Sequence, residues 1–121
     1  MPIKPIITSE QRKLHQLNTL LREFRDINSN ISVHVVQTFL LVCVHEGCSL
    51  ADILKITGWH QSTISRFLLD LGPKLRDGSQ GYGLVVSERD PAELRKNIYT
   101  LTPKGRELKR KVLDLIDSIE R

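Results

Sequence analysis

The feature that most constrains this chain lies at its middle, where two short apolar-faced segments meet across Gly58. In the first, Leu50, Ile53, Leu54 and Ile56 recur at helical spacing, with Ser49 placed to cap the start and Gly58 to stop it. In the second, the polar run His60-Gln61-Ser62-Thr63 leads into Ile64, Phe67, Leu68 and Leu71, again at spacings of three and four, while Ser65 and Arg66 fall off that stripe. A helix of this kind sinks one side into a core and presents hydrogen-bonding side chains on its first turn. The short glycine-containing connection forces it to cross its predecessor at a large angle. Trp59, between them, suits packing into the core or capping of the turn rather than a stacking platform.

The flanking segments complete a recognisable order. Pro2 and Pro5 make residues 1–8 an expected flexible arm. Thr8 or Ser9 then caps a helix to residue 27 whose apolar positions are Leu14, Leu17, Leu20, Leu21, Phe24 and Ile27. Asn28-Ser29-Asn30 breaks it, and Ser32 caps a segment carrying Val35, Val36, Phe39, Leu40, Cys43 and Val44, closed by Gly47. Its β-branched content leaves strand as a rival assignment, and its length favours helix. Beyond Gly72-Pro73, Asp77 to Gly83 is a loop by composition. Leu84–Glu88 and Asn97–Leu101 are β-prone runs around a charged tip, Arg89 to Lys96. Thr102-Pro103 starts a last helix with Leu108, Val112, Leu115, Ile116 and Ile119 on one stripe. With 121 residues and 40% hydrophobic content, one core is expected. The fold class is therefore mainly α, a winged helix-turn-helix with a two-stranded β wing between long N- and C-terminal helices.

That order points to double-stranded DNA, because the second helix of such a pair offers its first turns to base edges in the major groove. His60, Gln61, Ser62, Thr63, Ser65 and Arg66 are the candidate reading residues: Gln suits adenine, Arg suits guanine, and Ser or Thr reach bases or phosphates. Arg89, Arg95 and Lys96 at the wing tip would neutralise phosphates or enter a minor groove. Alternatively Asp90 and Arg95 pair internally to shape the tip, leaving Arg89 and Lys96 for DNA. Lys74 and Arg76, just past the reading helix, are further phosphate candidates. The formal net charge of +4 is compatible with a polyanionic partner and does not establish one.

Other function classes find little support. No apolar run suits a signal peptide or spanning helix, so a soluble cytoplasmic protein without membrane contact is expected. Two cysteines five residues apart read as reduced thiols. Cys43, His45 and Cys48 have a metal-like spacing, but on a helix Cys43 and His45 point to different faces, so neither metal nor cofactor is expected. No Ser/His/Asp or paired-carboxylate arrangement and no phosphate loop stands out, and catalysis is not expected.

Ser49-Leu50-Ala51-Asp52-Ile53, Ser62-Thr63-Ile64-Ser65-Arg66, Gly83-Leu84-Val85, Arg89-Asp90 with Arg95, and above all Tyr99-Thr100-Leu101-Thr102-Pro103-Lys104-Gly105 resemble the MarR family of winged-helix regulators. The resemblance covers residue 31 to the C-terminus. It implies an obligate homodimer whose terminal helices, residues 9–27 and 103–121, interlock around a DNA-binding core at 32–101. Leu14, Leu17, Leu21, Phe24, Leu108, Val112, Leu115 and Ile119 would then form the dimer interface. It further implies a palindromic operator, repression by occupancy, and an unidentified small-molecule effector. Asp77 to Gly83 lengthens the link between reading helix and wing relative to the family pattern. The alternatives are a replication or chromatin accessory protein using the same domain, and a winged-helix module that binds protein.

Overall fold

A computed structural model describes residues 3, 5, 8–74 and 78–120. The element order is α1 (Ser9–Ile27), α2 (Val33–Val44), α3 (Leu50–Thr57), α4 (Gln61–Leu71), β1 (Val85–Arg89), β2 (Asn97–Leu101) and α5 (Pro103–Glu120). Apart from Ile3, Pro5 and Thr8, the expected arm at 1–8 lies outside the described residues, as does Arg76.

Each helix begins where its sequence supplies a cap. Thr8 and Gln11 form a reciprocal capping box on α1, Ser32 accepts from the Val35 amide on α2, and Ser49 with Asp52 forms a second box on α3. The strand alternative for Val33–Val44 does not occur. Val35, Thr38, Phe39 and Val42 are all buried there, so packing outweighs the small helix penalty of β-branched residues. Buried Thr38 satisfies its hydroxyl by donating to the His34 carbonyl at 2.8 Å.

The core gathers Phe24, Phe39, Val42, Ile53, Ile64, Leu71 and Leu84 from α1 to α4 and the wing base. Phe24 meets Phe39 edge-on with ring centroids 5.9 Å apart. Here the expected dimer set needs correction. Phe24, Leu108 and Val112 are 1%, 4% and 5% exposed within the single chain, because α1 and α5 pack against each other and onto this core. They have no surface left to bury against a partner. Leu115 and Ile119 are half-buried, whereas Leu14, Leu17 and Leu21 remain exposed.

The two strands pair antiparallel in a single register, Val85 opposite Leu101 through Arg89 opposite Asn97. Cys48 adds an isolated bridge to Tyr99, with Tyr99 N donating to Cys48 O at 2.8 Å and Gly47 N to Tyr99 O at 2.8 Å. The segment between α2 and α3 thereby anchors the wing. Glu46 reinforces that joint: its Oε1 accepts from the Leu101 amide at 3.2 Å and from Arg106 Nη2 at 2.6 Å. Partial burial pushes the Glu46 carboxyl up, but these bonds outweigh it and hold the group below its ordinary value.

Candidate DNA interface

The turn between α3 and α4 is fixed by its own hydrogen bonds. Gly58 takes φ +69° and donates its amide to Leu54 O at 2.8 Å, while Thr57 Oγ1 accepts from the Trp59 amide at 3.1 Å. His60 is the N-cap of α4. Its Nδ1 accepts from the Ser62 amide at 3.4 Å and lies 2.8 Å from Ser62 Oγ, so these two polar groups engage each other.

From there, at about 100° per residue, α4 divides cleanly. Ile64, Phe67, Leu68 and Leu71 are buried, Thr63 is half-buried, and Gln61, Ser62, Ser65 and Arg66 are exposed. The exposed set lies on the outer side of the first two turns, as the reading-helix expectation requires. A ring cluster supports the same end: Trp59 stands edge-on to Phe67 at 6.2 Å, and His34 of α2 stacks on Phe67 at 5.7 Å with an 18° interplanar angle. The Arg66 guanidinium carbon lies 5.7 Å from the Phe67 ring centroid, within cation–π range. Sequence reading missed His34, because nothing local links a residue of the second helix to the fourth.

At the wing tip the internal bond is made by Arg89 and not by the alternative pair of Asp90 with Arg95. Among the described residues Asp90 and Arg95 form no ion pair. Arg89 braces the turn instead, donating from Nη1 to Leu94 O at 2.8 Å, and Asp90 Oδ1 accepts from the Ala92 amide at 2.9 Å. The Asp90 amide and Lys96 carbonyl close the turn at 2.8 Å. Arg89 is thus engaged in shaping the tip, while Arg95 is exposed.

Gln61, Glu93, Arg95, Lys96 and Asn97 line one groove of about 520 Å³ between the start of α4, α3 and the wing. The structure therefore brings the start of α4 and two wing cations to one opening. Lys96 is half-buried there and adds to the hold on Asp52, whose carboxyl is kept below its ordinary value chiefly by the Ser49 amide and side chain. Sequence reading did not find this acidic neighbour. Lys74 lies apart, exposed at the other end of α4, on a smaller groove of about 180 Å³ bounded by Leu69, Val85 and Ser87, and its backbone bridges to Gln80.

The remaining chemistry-bearing groups are not assembled. Burial pushes the Cys43 thiol up to about 11, with Lys109 offsetting part of the shift, and burial also raises Cys48. Among the described residues no three His, Cys, Asp or Glu side chains are arranged to hold a metal. No described helix is long and apolar enough to cross a membrane.

This arrangement, a glycine turn between α3 and α4, a two-stranded wing and long terminal helices, defines a winged helix-turn-helix. No family model and no curated protein matches the sequence, but solved structures match the fold. Bordetella bronchiseptica BpsR, in a structure describing regulation of its DNA binding by 6-hydroxynicotinic acid, is 22% identical. That match covers 99% of this chain and 81% of BpsR, with TM-score 0.56. A MarR-like transcriptional regulator from Thermotoga maritima is 22% identical over 88% of this chain and 76% of its own, with TM-score 0.62. A variant of MepR from S. aureus, bound to an oligodeoxyribonucleotide, is 19% identical over 88% and 72%, with TM-score 0.63. The chain has the fold of these MarR-type winged-helix regulators.

Proposed function

We propose that this protein is a homodimeric, sequence-specific duplex DNA-binding transcriptional regulator that represses by occupying its operator. The observation that carries the reading is the shared groove, where exposed Gln61 on the reading helix opens beside Arg95 and Lys96 of a braced wing. Gln61, Ser62, Ser65 and Arg66 would contact base edges, with Thr63 and the His60 cap supporting them. Arg95, Lys96 and Lys74 would meet phosphates. The MarR-type neighbours, among them the MepR variant bound to an oligodeoxyribonucleotide, support the same use of the fold. Residues 32–101 would form the DNA-binding core of a single domain, cytoplasmic and without catalytic activity.

The dimer would form on the terminal helices. Leu14, Leu17 and Leu21 are 67%, 48% and 48% exposed on α1, and Leu113 and Ile116 are exposed on α5. Because α1 and α5 lie together, these residues offer an apolar surface that water would otherwise cover. A two-fold axis through it would set two reading helices about one DNA turn apart. A small-molecule effector, as 6-hydroxynicotinic acid is for BpsR, is the further expected partner.

Selection of bound sequences from a random duplex pool tests the reading. A palindromic consensus with half-sites about 10 bp apart is expected. Retention without any consensus would favour an accessory DNA-coating role, and no retention at all would leave a protein-binding module.

A further inference from the structure

The chain does not run directly from α4 into the wing. It leaves α4 at Gly72 and returns at Gly81, lying along the end of that helix before β1 begins. There Tyr82 N donates to Asp70 O at 2.9 Å, Leu84 N to Leu71 O at 2.8 Å, Gly83 N to Gly72 O at 3.0 Å, and Gly81 N to Pro73 O at 3.1 Å. The Asp70 and Leu71 carbonyls that the end of α4 leaves open, and those of Gly72 and Pro73 just beyond it, are thus taken by one returning segment.

The carbonyls of that same segment are taken by the head of α5. Lys104 Nζ donates to Tyr82 O at 2.9 Å, Thr102 Oγ1 to Gly83 O at 2.6 Å, and Thr102 N to Leu84 O at 3.0 Å. Glycines permit the approach on both sides. A Cβ on Gly81 would stand 2.2 Å from Gly72 O, and one on Gly105 would stand 2.1 Å from Leu84 O. Leu84 itself is fully buried, which keeps the segment from sliding.

We propose that Gly81–Leu84 is a strap through which α5 sets the tilt of the reading helix, and that Thr102 and Lys104 are its positioning residues. The inference rests on the DNA-binding reading above. Its physical basis is that amides on one side of the strap grip α4 while carbonyls on the other are gripped by α5. A displacement of the α5 head therefore reaches α4 through hydrogen bonds rather than through deformable side-chain packing. An 11-residue helix is about 16 Å long, so a tilt of about 4° about its C-terminal end moves the first turn by about 1 Å. A hydrogen bond to a base edge does not survive such a displacement.

Trp59, the single tryptophan, lies just before the start of α4, packs against Phe67 of that helix and His34 of α2, and reports that tilt optically. The test uses the full-length protein with Thr102→Val, Lys104→Met and Thr102→Ser. Thr102→Val removes the hydroxyl bond to Gly83 O, and also the one that Thr102 Oγ1 accepts from the Gly105 amide. Lys104→Met removes only the exposed bond to Tyr82 O.

Both variants are expected to keep their helical circular dichroism, shift Trp59 emission, and lose about tenfold in discrimination between the selected site and a mismatched duplex. Thr102→Ser restores both readouts. Parental Trp59 emission and parental discrimination in folded Lys104→Met and Thr102→Val would overturn the strap. If Thr102→Val does not fold, Lys104→Met alone decides. If the parent protein shows no sequence preference, the DNA reading fails, and the emission shift still decides for or against the coupling.

Discussion

Replacing Arg95 by alanine should change how salt weakens duplex binding more than it changes which sequence is preferred. On the proposed function Lys74, Arg95 and Lys96 are the cations assigned to phosphate, Arg89 being engaged with Leu94 O. On a two-fold dimer they amount to about six phosphate contacts, which gives a slope of log K against log salt near −5.4, or a loss of about 2,000-fold from 50 to 200 mM. Arg95→Ala removes about two contacts, so the slope should flatten to about −3.6 and the same salt span should cost about 150-fold. Lys96→Ala should flatten it less, since Lys96 is half-buried and its charge already acts on Asp52. Gln61→Ala should leave the slope alone and lose about 1–3 kcal/mol of discrimination at one base position in each half-site. Anisotropy of a labelled duplex, titrated at several salt concentrations, reads all three. An unchanged slope for Arg95→Ala, or a flattened slope with intact discrimination for Gln61→Ala, would refute the assignment of wing to backbone and helix to bases.

Three further outcomes are expected. Leu17→Glu should convert the proposed dimer to a monomer in sedimentation equilibrium while shifting Tm by only a few degrees, because Leu17 is 48% exposed and lies outside the core. Glu46→Gln should cost no more than about 1 kcal/mol near neutral pH in urea denaturation, since the partner guanidinium is largely exposed and screened. The Glu46 carboxyl sits below its ordinary value in the folded chain, so its contribution is present above that ordinary value and is lost as pH falls through the folded one. Parent and variant should therefore converge in acid, and a gap that persists or widens there would exclude this role. Cys43, with its thiol near 11, should alkylate slowly at neutral pH and faster as pH rises toward that value, whereas rapid neutral labelling would contradict its desolvation.

Much of the architecture was legible because its signals are local. Ile64, Phe67, Leu68 and Leu71 recur at one period, Thr8, Ser32, Ser49 and Thr102 mark helix starts, and β-branched runs mark the strands. The misplaced residues share a different cause. An apolar stripe shows that a helix face is covered but not by what, so Phe24, Leu108 and Val112 looked like dimer contacts while they belong to the chain's own core. Likewise a cluster of charges at a hairpin tip does not reveal which arginine turns back onto a carbonyl. It is Arg89, opposite Asn97 at the last paired position, that does so. His34 on Phe67 and Cys48 beside Tyr99 depend on contacts between distant segments, and the charge of Lys96 acts on Asp52 across such segments, for which no spacing rule exists.

The braced wing tip also bears on kinetics. Because Arg89, Asp90 and Lys96 close the turn before any nucleic acid arrives, little backbone freedom remains to be frozen on contact. On the proposed DNA-binding reading, a pre-stiffened finger of this sort would accept only grooves whose width already suits it. Duplexes with unusual minor-groove dimensions would then be rejected at encounter rather than accommodated afterwards.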